Sequence, residues 1–358
     1  MIGLLRLSLL AGGALVVAGL IVIALSLLIV PRRPSPTGPQ AVGRMEAVLR
    51  DPGGQALPVT IWYPAAGARG RVIADAAFAA PTPAPLILYS PGWGGTRDQS
   101  SLQVENLASH GFVVVGCNDI ASDPGSDPDH ALIDLVSDAA LKAMIARSER
   151  HIARQADRLL AVLRALDAGQ VPALAGRLDL KRVGAIGYSV GGPSVVQAGL
   201  LDPRIVAVMN VDGALAGPPA DQIGPQAYFM LSSRDAFPSE AELASPAAIV
   251  RNNAWLSAID IPRNKQRIAR PGSYWAVLDA ADHGDLADGL YSLRTGRLLR
   301  SNFLRADMNR SIDEIQVAFF RGALLGDGSA MAALAGKDTQ TVRWISSTSS
   351  TPGTAKAR

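Results

Sequence analysis

Short apolar runs recur along most of the chain, each closed by glycine, proline or small polar residues, and between them apolar positions return at three- and four-residue spacing. The runs near residues 44–50, 57–63, 86–90, 112–117, 182–187, 205–211, 226–231 and 274–280 predict strands. Helical spacing near 98–109, 150–167, 191–200 and 311–324 predicts helices between or after several of them. In the second of these, Ile152, Leu159, Leu160, Leu163 and Leu166 fall on one face and form a core-packing stripe. Strands and helices in alternation build a mostly parallel sheet with helices on both faces, so the fold class is α/β.

The amino end breaks this pattern. Residues 7–30 carry no charge, and as a helix they would run about 36 Å, enough to cross a hydrocarbon core of about 30 Å. A secretory signal has a shorter apolar region ending at a small-residue cleavage site, whereas this run ends Leu27-Leu28-Ile29-Val30-Pro31. We therefore expect one N-terminal transmembrane helix within 1–30 that anchors the protein to a membrane, with a cleaved secretory segment as the alternative. The proline-rich linker 31–43 is stiff and would hold the following domain off the bilayer. Arg6 on one side and Arg32 and Arg33 on the other leave the orientation open.

Composition excludes some function classes. With 34 basic against 31 acidic residues the net charge is only +3, and no basic patch is concentrated, so nucleic acid is not an expected partner. The single cysteine, Cys117, rules out an intrachain disulfide and reads as core packing. Asp119, Asp123, Asp127 and Asp129 match no calcium-loop spacing and read as a solvated acidic loop. No metal and no cofactor is expected.

Chemistry concentrates at one turn. Gly187-Tyr188-Ser189-Val190-Gly191 follows the apolar run 183–186 and precedes a helical stretch, which puts Ser189 at a sharp strand-to-helix turn. Small neighbours there permit a strained backbone and leave the hydroxyl exposed, the setting of a nucleophile. Among 35 glycines such a pattern arises easily, and the order of other groups gives it weight. Of the four histidines, His110, His130, His151 and His283, only His283 follows Ser189. It lies in the loop Ala281-Asp282-His283-Gly284 after the last expected strand, where an imidazole can swing onto the serine. His110 closes a helix, His130 ends the acidic loop and His151 opens a helical stretch, and none is given a role. Two carboxylates follow apolar runs at the sheet's carboxyl edge, Asp212 and Asp235, and the pattern does not separate them. The loop Ser90-Pro91-Gly92-Trp93-Gly94-Gly95 follows a short strand. Its Trp93 N–H, with the Val190 N–H beside the serine, would form an oxyanion hole.

Over residues 44–325 the chain resembles the platelet-activating-factor acetylhydrolase and dienelactone-hydrolase-like branch of the α/β-hydrolase superfamily. The resemblance rests on the 90–95 loop and on Gly176-Arg177-Leu178-Asp179 leading into Gly187-Tyr188-Ser189-Val190-Gly191-Gly192. It rests also on Asn210-Val211-Asp212-Gly213-Ala214 and Asp282-His283-Gly284-Asp285-Leu286-Ala287-Asp288. The chain departs from it at Tyr188 and Pro91, where many relatives carry histidine. The resemblance implies the α/β-hydrolase fold and a Ser-His-Asp triad, and it favours Asp212, 23 residues beyond Ser189, with Asp235 the runner-up.

Expected from these parts is a serine hydrolase that cleaves carboxylic esters of small molecules or lipids through an acyl-enzyme. A thioesterase, amidase or polyester hydrolase would use the same triad, and a catalytically silent binding scaffold is the alternative of a different class. The expected organisation is an anchor at 1–30, a linker at 31–43, the hydrolase domain at 44–325 and an extension at 326–358 with a disordered end. Residues 236–273, weakly periodic, would supply part of a lid or acyl pocket. Because related enzymes are often secreted, the domain is expected on the periplasmic or extracellular side.

Overall fold

Ten strands form one sheet among the residues that the structure, a computed structural model, describes, namely 16–22, 33–80, 83–122, 134–291 and 302–348. In chain order they are β1 (Ala41–Arg50), β2 (Ala56–Ala65), β3 (Val72–Ala74), β4 (Ala84–Ser90), β5 (Val113–Cys117), β6 (Leu178–Tyr188), β7 (Ile205–Val211), β8 (Ala227–Ser233), β9 (Tyr274–Leu278) and β10 (Arg343–Trp344). Across the sheet they lie in the order β10-β9-β8-β7-β6-β4-β5-β2-β1-β3. Neighbours from β5 to β9 pair in parallel, while β2 runs antiparallel to both β1 and β5, and β10 antiparallel to β9.

The central strands read as unbroken apolar runs because helices cover both faces. On β4 the side chains alternate between two cores. Leu86 and Leu88 pack with Leu159 and Leu163 of helix α2 (Asp138–Asp167) and Val195 of α3 (Gly191–Leu201). Ile87 and Tyr89 pack on the opposite face with Leu107 of α1 (Ser101–Ser109) and Phe320 of the long helix Asn302–Leu325. Each such buried side chain contributes about 1.5–3 kcal/mol relative to exposure. The parallel strands also end at one edge, so the loops carrying Trp93, Ser189, Asp212, Asp235 and His283 all leave from that edge.

Three elements differ from the sequence expectation. Helix α2 begins at Asp138 rather than near 150, with the Ser137 hydroxyl accepting the Ala140 N–H at 3.1 Å. Its added turns bury little beyond Leu141 and Met144, which cluster with Leu135 away from the main cores. Residues 236–273 contain a long helix, α4 (Ala248–Ile268), whose buried positions include Asn252, Asp260, Asn264 and Arg267. A helix with a polar inner face leaves no apolar stripe to read. The chain also stays in the fold beyond 325: Met331 and Val342 are buried, and the Ile345 N–H donates to Trp275 O at 2.9 Å.

The linker does not stand off the domain over its described part. Arg33 pairs with Glu105 at 2.9 Å, the Thr37 N–H donates to Asn106 Oδ1 at 2.8 Å, and the Gly38 N–H to Ser109 Oγ at 2.9 Å, all on α1. An extended proline-containing chain makes no internal hydrogen bonds, so its N–H groups are free to satisfy buried acceptors on a neighbouring helix. The expected anchor falls on residues outside those described, apart from an exposed helical stretch at 16–22, as does the tail from 349. No helix among the described residues is long and apolar enough to cross a membrane.

Candidate active site

Ser189 follows β6 directly and takes φ 54°, in the left-handed region that costs a non-glycine residue about 1–3 kcal/mol. The turn is held by the Ser189 N–H donating to Val211 O at 2.8 Å and by the Gly192 N–H donating to Ser189 O at 2.9 Å. A side chain at position 191 would run into the carbonyl oxygens of Ser90 and Pro91, so only glycine lets α3 start this close to the end of β4.

The structure brings Ser189, His283 and Asp212 together. His283 Nε2 lies 3.1 Å from Ser189 Oγ, and its Nδ1 lies 2.8 Å from Asp212 Oδ2. Asp212 follows β7 with φ 58°, a second left-handed residue at the same edge. Its N–H donates to Leu231 O at 2.8 Å, and its Oδ1 accepts the Ser233 N–H at 2.8 Å, which aims Oδ2 at the imidazole. Asp235 is not brought to His283: it is exposed and sits 3.8 Å from Arg234. Both ring nitrogens of His283 are already engaged by the other two residues.

Tyr188, a departure from the resembling family, faces the histidine. Its ring stacks on His283 with centroids 5.0 Å apart, and its hydroxyl donates to His283 O at 3.1 Å. The histidine loop is fastened from below by Asp288, whose carboxylate accepts the Ser101 and Leu102 N–H groups at 3.1 Å each. A carboxylate at a helix amino terminus answers donors that have no partner within the helix. Gln103 adds a hydrogen bond to Leu286 O at 2.7 Å.

Between Ser90 and Gly95 the main-chain donors are spoken for in a regular way. The Gly92 N–H donates to Gln99 Oε1 at 2.7 Å, the Gly94 N–H to Asp119 Oδ1 at 2.8 Å, and the Gly95 N–H to Gly92 O at 2.8 Å. Among the described residues, the Trp93 and Val190 N–H groups donate to no other residue. The expectation that Asp119 lies in a solvated acidic loop is corrected here, because its residue is 0% exposed and its Oδ2 lies 2.7 Å from Nε2 of His151. The signal was its place just after β5, at the same sheet edge as the other site residues. His151 likewise is buried inside α2 rather than opening a helix, and Asp123, Asp127, Asp129 and His130 lie outside the described residues.

A cavity of about 400 Å³ opens on Ser189 and His283. Trp93, Met144, Leu256 and Trp275 give it apolar walls, and Asp260 of α4 also lines it. Burial pushes the Asp260 carboxyl up to about 6, although the Leu215 N–H and Arg263 beside it favour the charged form. A folded-state value above the unfolded one means the charged group opposes folding. The protonated group carries no such cost, so its contribution to stability is complete below the ordinary value of 3.8 and is lost as pH rises through about 6. Asp260→Asn is therefore expected to lose less stability than the native protein between pH 4.5 and pH 7.5, by about 2 kcal/mol. Denaturant titrations at the two pH values check this, and an equal difference at both would contradict it.

No family model and no curated protein matches the sequence. Solved structures similar to the chain include a ferulic acid esterase from Streptomyces cinnamoneus, at 20% identity and a TM-score of 0.62, over 88% of this chain and 99% of that one. Likeness at that identity bears on architecture rather than on chemistry. Taken with the parallel β5-β4-β6-β7-β8-β9 order, it gives this chain an α/β fold, a mostly parallel sheet with helices on both faces, of the same architecture as that esterase.

Proposed function

We propose that this chain is a serine hydrolase of carboxylic esters, with Ser189 as nucleophile, His283 as general base and acid, and Asp212 as the group that orients the imidazole. The observation that carries the reading is the continuous hydrogen-bonded line from Asp212 through His283 to Ser189 Oγ, at 2.8 and 3.1 Å, at the mouth of the cavity. His283 Nε2 takes the serine proton as Oγ attacks the ester carbonyl, and the negative oxygen is met by the Trp93 and Val190 N–H groups. Collapse of this intermediate breaks the bond to the alcohol, which leaves with the proton from His283. Water, deprotonated by the same imidazole, then attacks the acyl-enzyme and releases the acid and Ser189.

The branch we favour within the superfamily is the acetylhydrolase and dienelactone-hydrolase-like one. A cavity of about 400 Å³ lies in the range of small-molecule sites, and its apolar walls suit a single acyl or aryl acid moiety. The ferulic acid named for the structural neighbour is an acid of that kind. The uncharged run 7–30 supports attachment of the enzyme to a bilayer, and we place its catalytic domain on the outer side.

Full-length protein should be separated into membrane pellet and supernatant, and each fraction assayed on p-nitrophenyl esters from acetyl to palmitoyl and on methyl ferulate. Activity is expected in the pellet, on short-chain or aryl esters before long ones. Recovery in the supernatant would replace the anchor by a cleaved segment. Absence of turnover on every ester would end the ester-hydrolase reading in favour of amide or thioester substrates or a silent scaffold.

A further inference from the structure

The loop that carries Trp93 is held from two sides. Gln99 takes the N–H before Trp93 and Asp119 takes the one after it, at 2.7 and 2.8 Å, which leaves the Trp93 donor between two anchored peptide units. Gly94, with φ 65°, makes the left-handed turn that such an arrangement needs. Asp119 also returns a bond, its N–H donating to Gly95 O at 3.0 Å, so the residue and the loop are cross-linked twice. Behind Asp119 stands His151, with Nε2 at 2.7 Å from Oδ2, and both residues are buried. The same imidazole stacks on the Trp93 indole, with ring centroids 4.0 Å apart and planes 22° from parallel. One helical turn on, Gln155 accepts the Ile120 N–H and donates to Ser90 Oγ, both at 3.0 Å, which fixes α2 against the ends of β4 and β5.

We propose that Asp119 and His151 are positioning residues for the oxyanion hole: Asp119 orients the peptide after Trp93, and His151 fixes both Asp119 and the Trp93 ring. The inference rests on the ester-hydrolase reading. A buried, hydrogen-bonded polar pair stabilises a fold little more than apolar side chains of the same volume would. A rigid donor aimed at the developing negative oxygen, by contrast, is what acyl transfer requires, and loss of one donor lowers turnover about 10²–10³-fold. The pair therefore acts on kcat rather than on substrate binding.

The test uses the full chain with Asp119→Ala, Asp119→Asn and His151→Phe. Active sites are counted by labelling Ser189 to completion with a fluorophosphonate, and kcat and KM are measured per labelled site on p-nitrophenyl acetate. Asp119→Ala is expected to lower kcat about 30- to 100-fold with KM within about threefold. Asp119→Asn, whose amide oxygen still accepts the Gly94 N–H and whose NH₂ reaches His151, is expected to stay within about fivefold of native. His151→Phe keeps a ring against Trp93 but gives up the bond to Asp119, for a loss of about 5- to 20-fold. Should Asp119→Ala fail to fold, His151→Phe and Asp119→Asn decide. Fewer labelled sites with kcat per site within about threefold of native in Asp119→Ala and His151→Phe would overturn the proposal and leave the pair a purely structural role. A native chain that neither takes the label nor cleaves any ester would instead bring down the ester-hydrolase reading, and this inference with it.

Discussion

Ser189→Ala is expected to leave a folded protein whose turnover of p-nitrophenyl acetate has fallen on the order of 10⁴–10⁶-fold. The substitution removes one oxygen, the hydroxyl oxygen that His283 Nε2 faces at 3.1 Å. Alanine meets the same steric penalty at φ 54° that serine already bears, so the turn after β6 is neither relieved nor strained further. The Val211 and Gly192 main-chain bonds that shape the turn do not involve the side chain. On the proposed mechanism, the activity left should be the rate enhancement from binding and from the Trp93 and Val190 donors. His283→Ala should cost a similar factor, and the double variant little more than either alone, because groups that act as one unit do not contribute additively. The measurement is kcat per mole of protein with the melting temperature alongside. More than about a tenth of native activity in Ser189→Ala at an unchanged melting temperature would remove the serine from the chemistry.

How far the sequence speaks for this arrangement depends on where each contact partner lies along the chain. Strands β4 to β9 are legible because both faces are covered, which forces apolar residues into runs such as Leu86-Ile87-Leu88 and Val113-Val114-Val115. The turn at Ser189 is legible because close approach of α3 to Ser90 and Pro91 demands glycine at 191. Helix α4 is not, since Asn252, Asp260 and Asn264 turn polar groups inward. Strand β10, two residues long, owes its conformation to its pairing with β9 and carries no pattern of its own. Asp119 misleads for a related reason. Its sequence neighbours Asp123, Asp127 and Asp129 suggest a solvated run, whereas its burial depends on Gly94 and His151, brought to it from 25 and 32 residues away. What distinguishes Asp212 from Asp235 is likewise invisible in the pattern: Asp212, at φ 58°, has Oδ2 at 2.8 Å from His283 Nδ1, whereas Asp235 is exposed beside Arg234.

That distinction makes the second large prediction. In Asp212→Asn the side-chain oxygen that accepts the Ser233 N–H at 2.8 Å can be kept, so the loop after β7 should hold its shape. The amide then turns its NH₂ towards His283 Nδ1, which can only answer as an acceptor, and the ring proton moves to Nε2. An imidazole protonated at Nε2 cannot take the proton of Ser189. Turnover should therefore fall about 10⁴-fold although every heavy atom stays close to its place. Asp235→Asn removes a charge from an exposed side chain 3.8 Å from Arg234 and should change kcat/KM by less than about threefold, since such surface pairs are worth roughly 0–1 kcal/mol. Comparison of kcat/KM for the two asparagine variants decides the assignment. A larger loss at Asp235 would mean that His283 swings away from Asp212 during turnover, and the acid would then have to be sought on the loop after β8.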